Sequence, residues 1–220
     1  MKLSGTTYVI ACNHCGHPTH YEGIASSNTF GMSAWTDGFN FYPMSNNSSS
    51  LIHCHSCQKI YWFLDAKEIG FLSANDFVDE EHEVPDEIWR ASTPIEEPSE
   101  GEIYEALKGG FSIGTPMEKQ VRIIAWWKSN DDYRHLPKNK QGGEKLFNAE
   151  RLLNMSELSR LTNNSPKDII MSSELARQSK KFDYAATLLG SVMSEDTGIR
   201  HACSTILSLC KRNDFTVRIL

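Results

Sequence analysis

The 220-residue chain has no apolar run near the roughly 18 residues a membrane-spanning helix needs, so no span is expected. With 14 glycines and 8 prolines it has too few of either, and no period, for a collagen-like or low-complexity chain. Phosphate-binding glycine motifs, nucleophile elbows and zinc-protease motifs are missing, which removes the commonest sequence marks of an enzyme. Cations are scarce at the start: Lys2 and Lys59 are the only Lys/Arg in residues 1–64, balanced by Glu22 and Asp37. Nucleic-acid binders draw affinity from basic patches, and this part has none. The opening MKLSGTTYVIAC loosely resembles a lipoprotein cleavage site at Val9–Cys12, but what precedes it is too short and polar for a signal peptide. Export is therefore rejected, a reducing cytoplasm is expected, and disulfides are not.

What is present divides the chain into three. Residues 65–105 carry fourteen Asp/Glu against Lys67 and Arg90, and residues 106–220 carry eighteen Lys/Arg against twelve Asp/Glu. Residues 1–66 form the first part, the ribbon, and 6–64 of it read as β-structure, with Tyr8-Val9-Ile10 and Ile60-Tyr61-Trp62-Phe63 rich in β-branched and aromatic residues. Asp37-Gly38 between strand-like flanks predicts a two-residue hairpin turn, with Ala34, Thr36, Phe39 and Phe41 on one face. Residues 67–102 read as an acidic linker with short helices, Leu64–Leu72 and Asp86–Ala91, and an exposed stretch from Pro94 to Gly101. Residues 103–220 read as a helical repeat-like domain of six helices: about 103–110, one from Thr115-Pro116, 144–161, one from Ser165-Pro166, 183–194 and 198–212. The fold class is α+β: a small β zinc ribbon followed by an α-helical hairpin domain. Short turns between amphipathic helices predict antiparallel pairs.

The strongest motif is Cys12-Asn13-His14-Cys15 with Cys54-His55-Ser56-Cys57. Each CxxC makes a tight knuckle presenting two thiolates, and two knuckles complete a tetrahedral zinc site. The metal ligands are therefore Cys12, Cys15, Cys54 and Cys57, holding one structural Zn2+ per chain. Gly16 suits the sharp turn beside the first knuckle. Four thiolates leave no open position, so the metal is read as structural and no catalytic residue is assigned. A redox dithiol is the competing reading of a CxxC pair. His14, His17, His20, His53 and His55 crowd the knuckles and are read as groups around the sulfurs, and a hydrolytic pairing of His20 with Glu22 has no further support. Cys203 and Cys210, seven apart on a helix, are read as small buried hydrophobes. Phe30, Trp35, Phe39 and Phe41 between the knuckles, and the adjacent Trp126 and Trp127, are candidate partner-binding residues; the plainer reading makes the first four cover of the ribbon core.

Asp168 to Val192 resembles a tetratricopeptide repeat, through Leu175-Ala176, the turn Lys181–Ala185 and Leu188-Leu189. The whole layout resembles a group of bacterial zinc-ribbon proteins with C-terminal tetratricopeptide-repeat-like helices. The matching pieces are Cys12–Cys15, Asn28–Gly31, Trp35–Gly38, Pro43-Met44, Cys54–Cys57 and Arg122 to Asp131. That resemblance implies the architecture and a bacterial cytoplasm, and no activity. The expected function is a non-enzymatic zinc-binding adaptor or scaffold for protein–protein interaction. The alternatives are a nucleic-acid-associated regulator using the ribbon, and an enzyme using its histidine-rich surface. A protein partner is expected, nucleic acid is less favoured, no membrane is implied, and spare helix faces leave room for a homodimer.

Overall fold

A computed structural model of the chain describes residues 3–44, 50–72, 87–134 and 148–220. The chain is α+β. It divides into two compact units: residues 1–32 with 42–106, and residues 33–41 with 107–220. The chain thus passes between units three times, and the segment 33–41, lying between the two CxxC pairs, belongs with the helices.

The first unit is built on a four-stranded sheet. Strands β1 (Leu3–Ala11) and β2 (Pro18–Ser26) form a long antiparallel hairpin that pairs Val9 with His20. The short strands β3 (Ser33–Ala34) and β4 (Asn40–Phe41) belong to the second unit. Strands β5 (Leu51–His53) and β6 (Ile60–Trp62) make a separate small hairpin in the first. Next come a 3-10 turn at Phe63–Asp65 and strand β7 (Lys67–Leu72), antiparallel to β1. After a single helical turn, α1 (Glu87–Arg90), strand β8 (Thr93–Pro94) runs parallel to β2. The sheet order is β7-β1-β2-β8. Apolar side chains of Ile10, Ile52 and Tyr61 pack with Cys12 and Cys54 into one core, flanked by Tyr21, Phe63 and Ile95.

Two expectations for residues 64–102 are corrected. Leu64–Leu72 is a turn and a strand, because Ile69 and Phe71 alternate with Glu68 and Gly70 at the two-residue period of a sheet edge. Gly70 has a purpose there: a Cβ on it would sit 2.2 Å from the Trp89 ring, so only glycine lets that indole lie on the strand. The stretch from Pro94 is likewise no free linker. Ile95 N–H donates to His20 O at 2.8 Å, and His53 N–H donates to Glu96 O at 2.9 Å. Pro94 itself sits in an edge strand two residues long, where proline is tolerated. Residues 73–86 lie outside the described residues.

Helix α2 (Glu100–Lys108) starts in a capping box: Ser99 N–H donates to Glu102 Oε2 at 2.7 Å and Glu102 N–H to Ser99 Oγ at 3.3 Å. The division between units falls near its end.

The second unit holds α3 (Glu118–Arg134), α4 (Ala149–Arg160), α5 (Pro166–Gln178), α6 (Phe182–Gly190) and α7 (Thr197–Lys211). The expected start of α3 is displaced: the helix begins at Glu118, with Thr115 and Pro116 in the turn before it, and no capping box forms, because Thr115 Oγ1 accepts from Met117 N–H while Glu118 reaches back to Gly114 N–H rather than to Thr115. Ser165 caps α5 through Asp168 N–H, with Pro166 in the first turn as expected. α5 and α6 form a helical hairpin closed by Lys180 at φ +61, whose neighbour Lys181 N–H returns to Ala176 O at 2.9 Å. Ile123, Trp126, Met155, Leu158 and Leu175 join α3, α4 and α5. Ala176, Ala185, Leu189, Ile206 and Cys210 join α5, α6 and α7. Residues 135–147, including the expected start of the 144–161 helix, lie outside the described residues.

The hairpin β3–β4 differs from expectation by one register step. Ser33 faces Phe41, Ala34 faces Asn40, and Trp35 N–H donates to Phe39 O at 2.9 Å. The loop is therefore Thr36-Asp37-Gly38, with only Gly38 at positive φ, +78. A three-residue loop needs one left-handed residue where a primed two-residue turn needs two, and Asp37 instead uses its carboxylate to accept Phe39 N–H. Residues 218–220 run alongside as an isolated antiparallel bridge between Trp35 and Ile219: Thr36 N–H donates to Arg218 O and Leu220 N–H to Ala34 O, each at 2.8 Å.

Candidate metal centre

The centre lies at two strand turns of the first unit. β1 delivers Cys12, β5 delivers Cys54, and each chain returns as β2 or β6. The two knuckles repeat one hydrogen-bond pattern. Cys12 N–H donates to His17 O at 2.9 Å and Gly16 N–H to Cys12 O at 2.8 Å. Cys54 N–H donates to Lys59 O at 3.0 Å and Gln58 N–H to Cys54 O at 2.8 Å. The residue after each second cysteine is left-handed: Gly16 at φ +74 and Gln58 at φ +58. Gln58 endures the conformation glycine favours, and its side-chain amide donates to His55 O at 2.6 Å.

These turns bring all four sulfurs within 4.8 Å of one another. Sγ of Cys12 lies 3.9 Å from that of Cys57, and Sγ of Cys15 lies 3.6 Å from that of Cys54, so each close pair links one knuckle to the other. Among the described residues no other group of His, Cys, Asp and Glu reaches this spacing. Such a set can hold one metal ion. Cys12 and Cys54 are buried, Cys57 is half-buried and Cys15 is exposed. Burial pushes the Cys12 thiol up to about 12, whereas the His17 backbone N–H pulls the exposed Cys15 down to about 7. Burial also raises Cys57. Buried thiols resist ionising next to one another, and a cation between them removes that resistance. The His14 backbone N–H points at Cys12 Sγ, 3.4 Å away, and spreads part of the sulfur charge.

The histidines are placed around this set and outside it. Buried His53 has Nε2 3.4 Å from Glu102 Oε1 and Nδ1 3.8 Å from Glu96 Oε2, and His55 Nε2 is 3.1 Å from Glu96 Oε2. Part of the acidic stretch is thus spent on the ribbon's own imidazoles. His20 Nδ1 meets Ser92 Oγ at 3.0 Å. The Ser92 hydroxyl donates to Trp89 O at 2.6 Å, so it accepts from His20 and is not a serine activated by a base.

The aromatic candidates separate sharply. Phe30 is 81% exposed and Phe41 44%. Trp126 is fully buried and donates from Nε1 to Gln178 Oε1 at 2.8 Å. Trp127 Nε1 donates to Asp37 O at 2.9 Å, and Phe39 meets the Trp127 ring edge-on at 5.6 Å. The Arg134 guanidinium lies 4.3 Å from the Phe39 ring centre and 5.6 Å from that of Trp35. Trp35, Phe39 and Trp127 thereby line a joint inside the helical unit, and none of the three covers the ribbon core. Cys203 and Cys210 pack on the α5–α6–α7 core of the second unit and are not among the clustered sulfurs, and burial raises both thiols.

Sequence reasoning missed the polar centre of that joint. Asp37 is buried and accepts from Asn130 Nδ2 at 2.8 Å and from Arg134. Burial pushes its carboxyl upward, and Arg134 acts against that push. One residue away, Thr36 Oγ1 donates to Glu174 Oε1 at 2.7 Å. Glu174 also takes Arg177 Nε at 2.8 Å and Gln178 Nε2 at 3.0 Å, and both members of the Glu174–Arg177 pair are fully buried. Burial opposes the Arg177 charge, and the Glu174 carboxylate more than restores it. The available signal was a glutamate and an arginine three apart, inside the α5 stripe that also holds Leu175 and Ala176.

No family model matches the chain, and no curated protein or solved structure matches it either. Fold and site define an α+β protein carrying a four-cysteine cluster that could hold a metal ion. No helix among the described residues is long and apolar enough to cross a membrane.

Proposed function

We propose that the chain is a non-enzymatic zinc-binding adaptor of the bacterial cytoplasm, similar to zinc-ribbon proteins with tetratricopeptide-repeat-like helices, whose ribbon is held together by zinc and whose helices take a protein partner. The observation that carries this reading is the closed sulfur set. A tetrahedral ion with Zn–S of about 2.3 Å needs sulfurs about 3.8 Å apart, and the two close pairs stand at 3.9 and 3.6 Å. All-thiolate tetrahedral sites suit zinc, and four thiolates leave no position for a substrate. Zinc would be held by Cys12, Cys15, Cys54 and Cys57 and would supply folding free energy to a unit with a small core. The helical hairpin α5–α6 and the helix after it support this reading, since stacked helical hairpins are the kind of element that takes a protein partner.

The test uses the intact protein. Native mass spectrometry is expected to find one zinc per chain, and the cobalt-substituted protein a thiolate spectrum that added azide leaves unmoved. A partner captured from the native cell extract and rebuilt as a complex from purified components supports the adaptor. A cobalt spectrum that shifts with azide, or the absence of any partner that can be reconstituted, overturns it.

A further inference from the structure

Helix α7 has two faces. Ala202, Ile206, Leu209 and Cys210 are buried in the helical unit. The other face, with Val192 and Ser194 from the preceding loop, lines an open groove of about 430 Å³. Along its floor run Ile199, Cys203 and Leu207, each one helical turn from the next, all half-buried. Arg200 stands at one end and Lys211 at the other, both exposed, and neither makes an ion pair among the described residues. α7 contains no acidic residue. Of the two carboxylates just before α7, Asp196 is committed to capping Gly198 and Ile199 N–H, and Glu195, next to the lining Ser194, is exposed and is not itself among the lining residues.

Resting on the adaptor reading, we propose that this groove docks an acidic amphipathic helix of a partner protein. A floor of two aliphatic side chains, Ile199 and Leu207, with the small thiol of Cys203 between them, spaced four residues apart and about 12 Å long, matches the apolar edge of two helical turns. Two unpaired cations of one sign at its ends call for carboxylates flanking that edge. A second copy fits poorly, because a two-fold pairing of α7 faces sets the Arg200 end of one against the Lys211 end of the other. A nucleic acid would want aromatic platforms, and the lining residues include none.

The probe is a fluorescein-labelled peptide of about 16 residues with leucine every third or fourth position and glutamate elsewhere, beside a lysine counterpart with the same leucines. Fluorescence anisotropy with the intact, metal-loaded chain is expected to show saturable binding of the acidic peptide only, weakening with salt. The exposed double variant Arg200→Glu/Lys211→Glu is expected to lose about tenfold or more of that affinity and to gain the lysine peptide. Leu207→Glu is expected to abolish both, and the charge double variant carries the test should that substitution disturb folding. Equal binding of both peptides, no saturable binding, indifference to charge reversal, displacement by an oligothymidylate, or dimerisation of the chain that charge reversal abolishes would each overturn the proposal. Should the peptides fail while a reconstituted partner still binds the double variant, the groove assignment falls and the adaptor reading stands.

Discussion

At the residue scale, the two knuckles solve one backbone problem with different side chains. Gly16 sits at φ +74 with open space around it, and Gln58 sits at φ +58 in the equivalent place. Alanine at position 16 meets no clash, so its cost is backbone strain alone, about 1 kcal/mol after the entropy lost by replacing glycine is credited. Gly16→Ala is therefore expected to weaken apparent zinc affinity about fivefold in competition with a chromophoric chelator. Gln58→Gly is expected to leave it within a factor of about two, because relief of strain is offset by greater chain freedom and the lost bond to His55 O. Cysteine identity gives a sharper contrast. Serine at Cys12, Cys15, Cys54 or Cys57 is expected to remove stoichiometric metal in native mass spectrometry, whereas serine at Cys203, which packs on a separate core, keeps one ion per chain. The CxxC spacing was enough to name the four cysteines whose sulfurs come together, since a knuckle is a local device. The left-handed Gln58 was invisible, because nothing in glutamine's chemistry announces positive φ.

At the element scale, the hairpin β3–β4 and helix α5 carry the most polar burial in the helical unit. Arg177→Met would strand Glu174 as a buried carboxylate with only Thr36 and Gln178 to satisfy it. Breaking a buried pair this way costs about 3–5 kcal/mol. Urea unfolding followed by circular dichroism is expected to show that loss, and Glu174→Leu/Arg177→Met to recover much of it, because no lone charge then remains. The start of α3 gives a pH signature. The Gly114 backbone N–H and the Arg122 guanidinium hold the Glu118 carboxyl below the ordinary glutamate range. Its folded value lies under its unfolded one, so its contribution is present above about pH 4.3 and disappears as pH falls through the lowered value. Glu118→Gln is expected to be less stable near neutrality by about 1–2 kcal/mol and to converge with the parent as pH falls through that lowered value. Helix caps such as Ser165-Pro166 were legible because capping is local. The register of β3–β4 was not: Asp37-Gly38 marked the turn, but the loop length was settled by Asp37 and Thr36 finding Asn130, Arg134 and Glu174 more than ninety residues away.

At the scale of the whole molecule, the order of residues and the order of units differ. An uninterrupted ribbon followed by a linker was the simplest reading of the charge and strand pattern. It failed where a segment's partner is remote: 33–41 belongs with residues 107–220, and 93–96 belongs with the sheet. Two pieces with no visible link in sequence, Trp35–Gly38 and the stretch from Arg122 to Asp131, touch through Trp127, Asn130 and Asp37. This interleaving has a thermodynamic consequence. Residues 16–53 form a 38-residue loop whose ends a bound metal would tie at Cys15 and Cys54, and Thr36 and Asp37 lie near its middle. With the loop tied, those two residues explore less space before reaching Glu174 and Asn130. With the metal removed, the closure entropy returns, up to about 4 kcal/mol for a loop of this length. Chelation is then expected to lower the melting temperature of the helical signal at 222 nm by several degrees, although no metal ligand lies in any of these helices. Thr36→Val/Asp37→Asn should already weaken the hairpin's hold, and in that variant chelation should shift the helical transition much less. A helical melting temperature equally insensitive to chelator in the parent and the variant would show that the loop carries no such linkage.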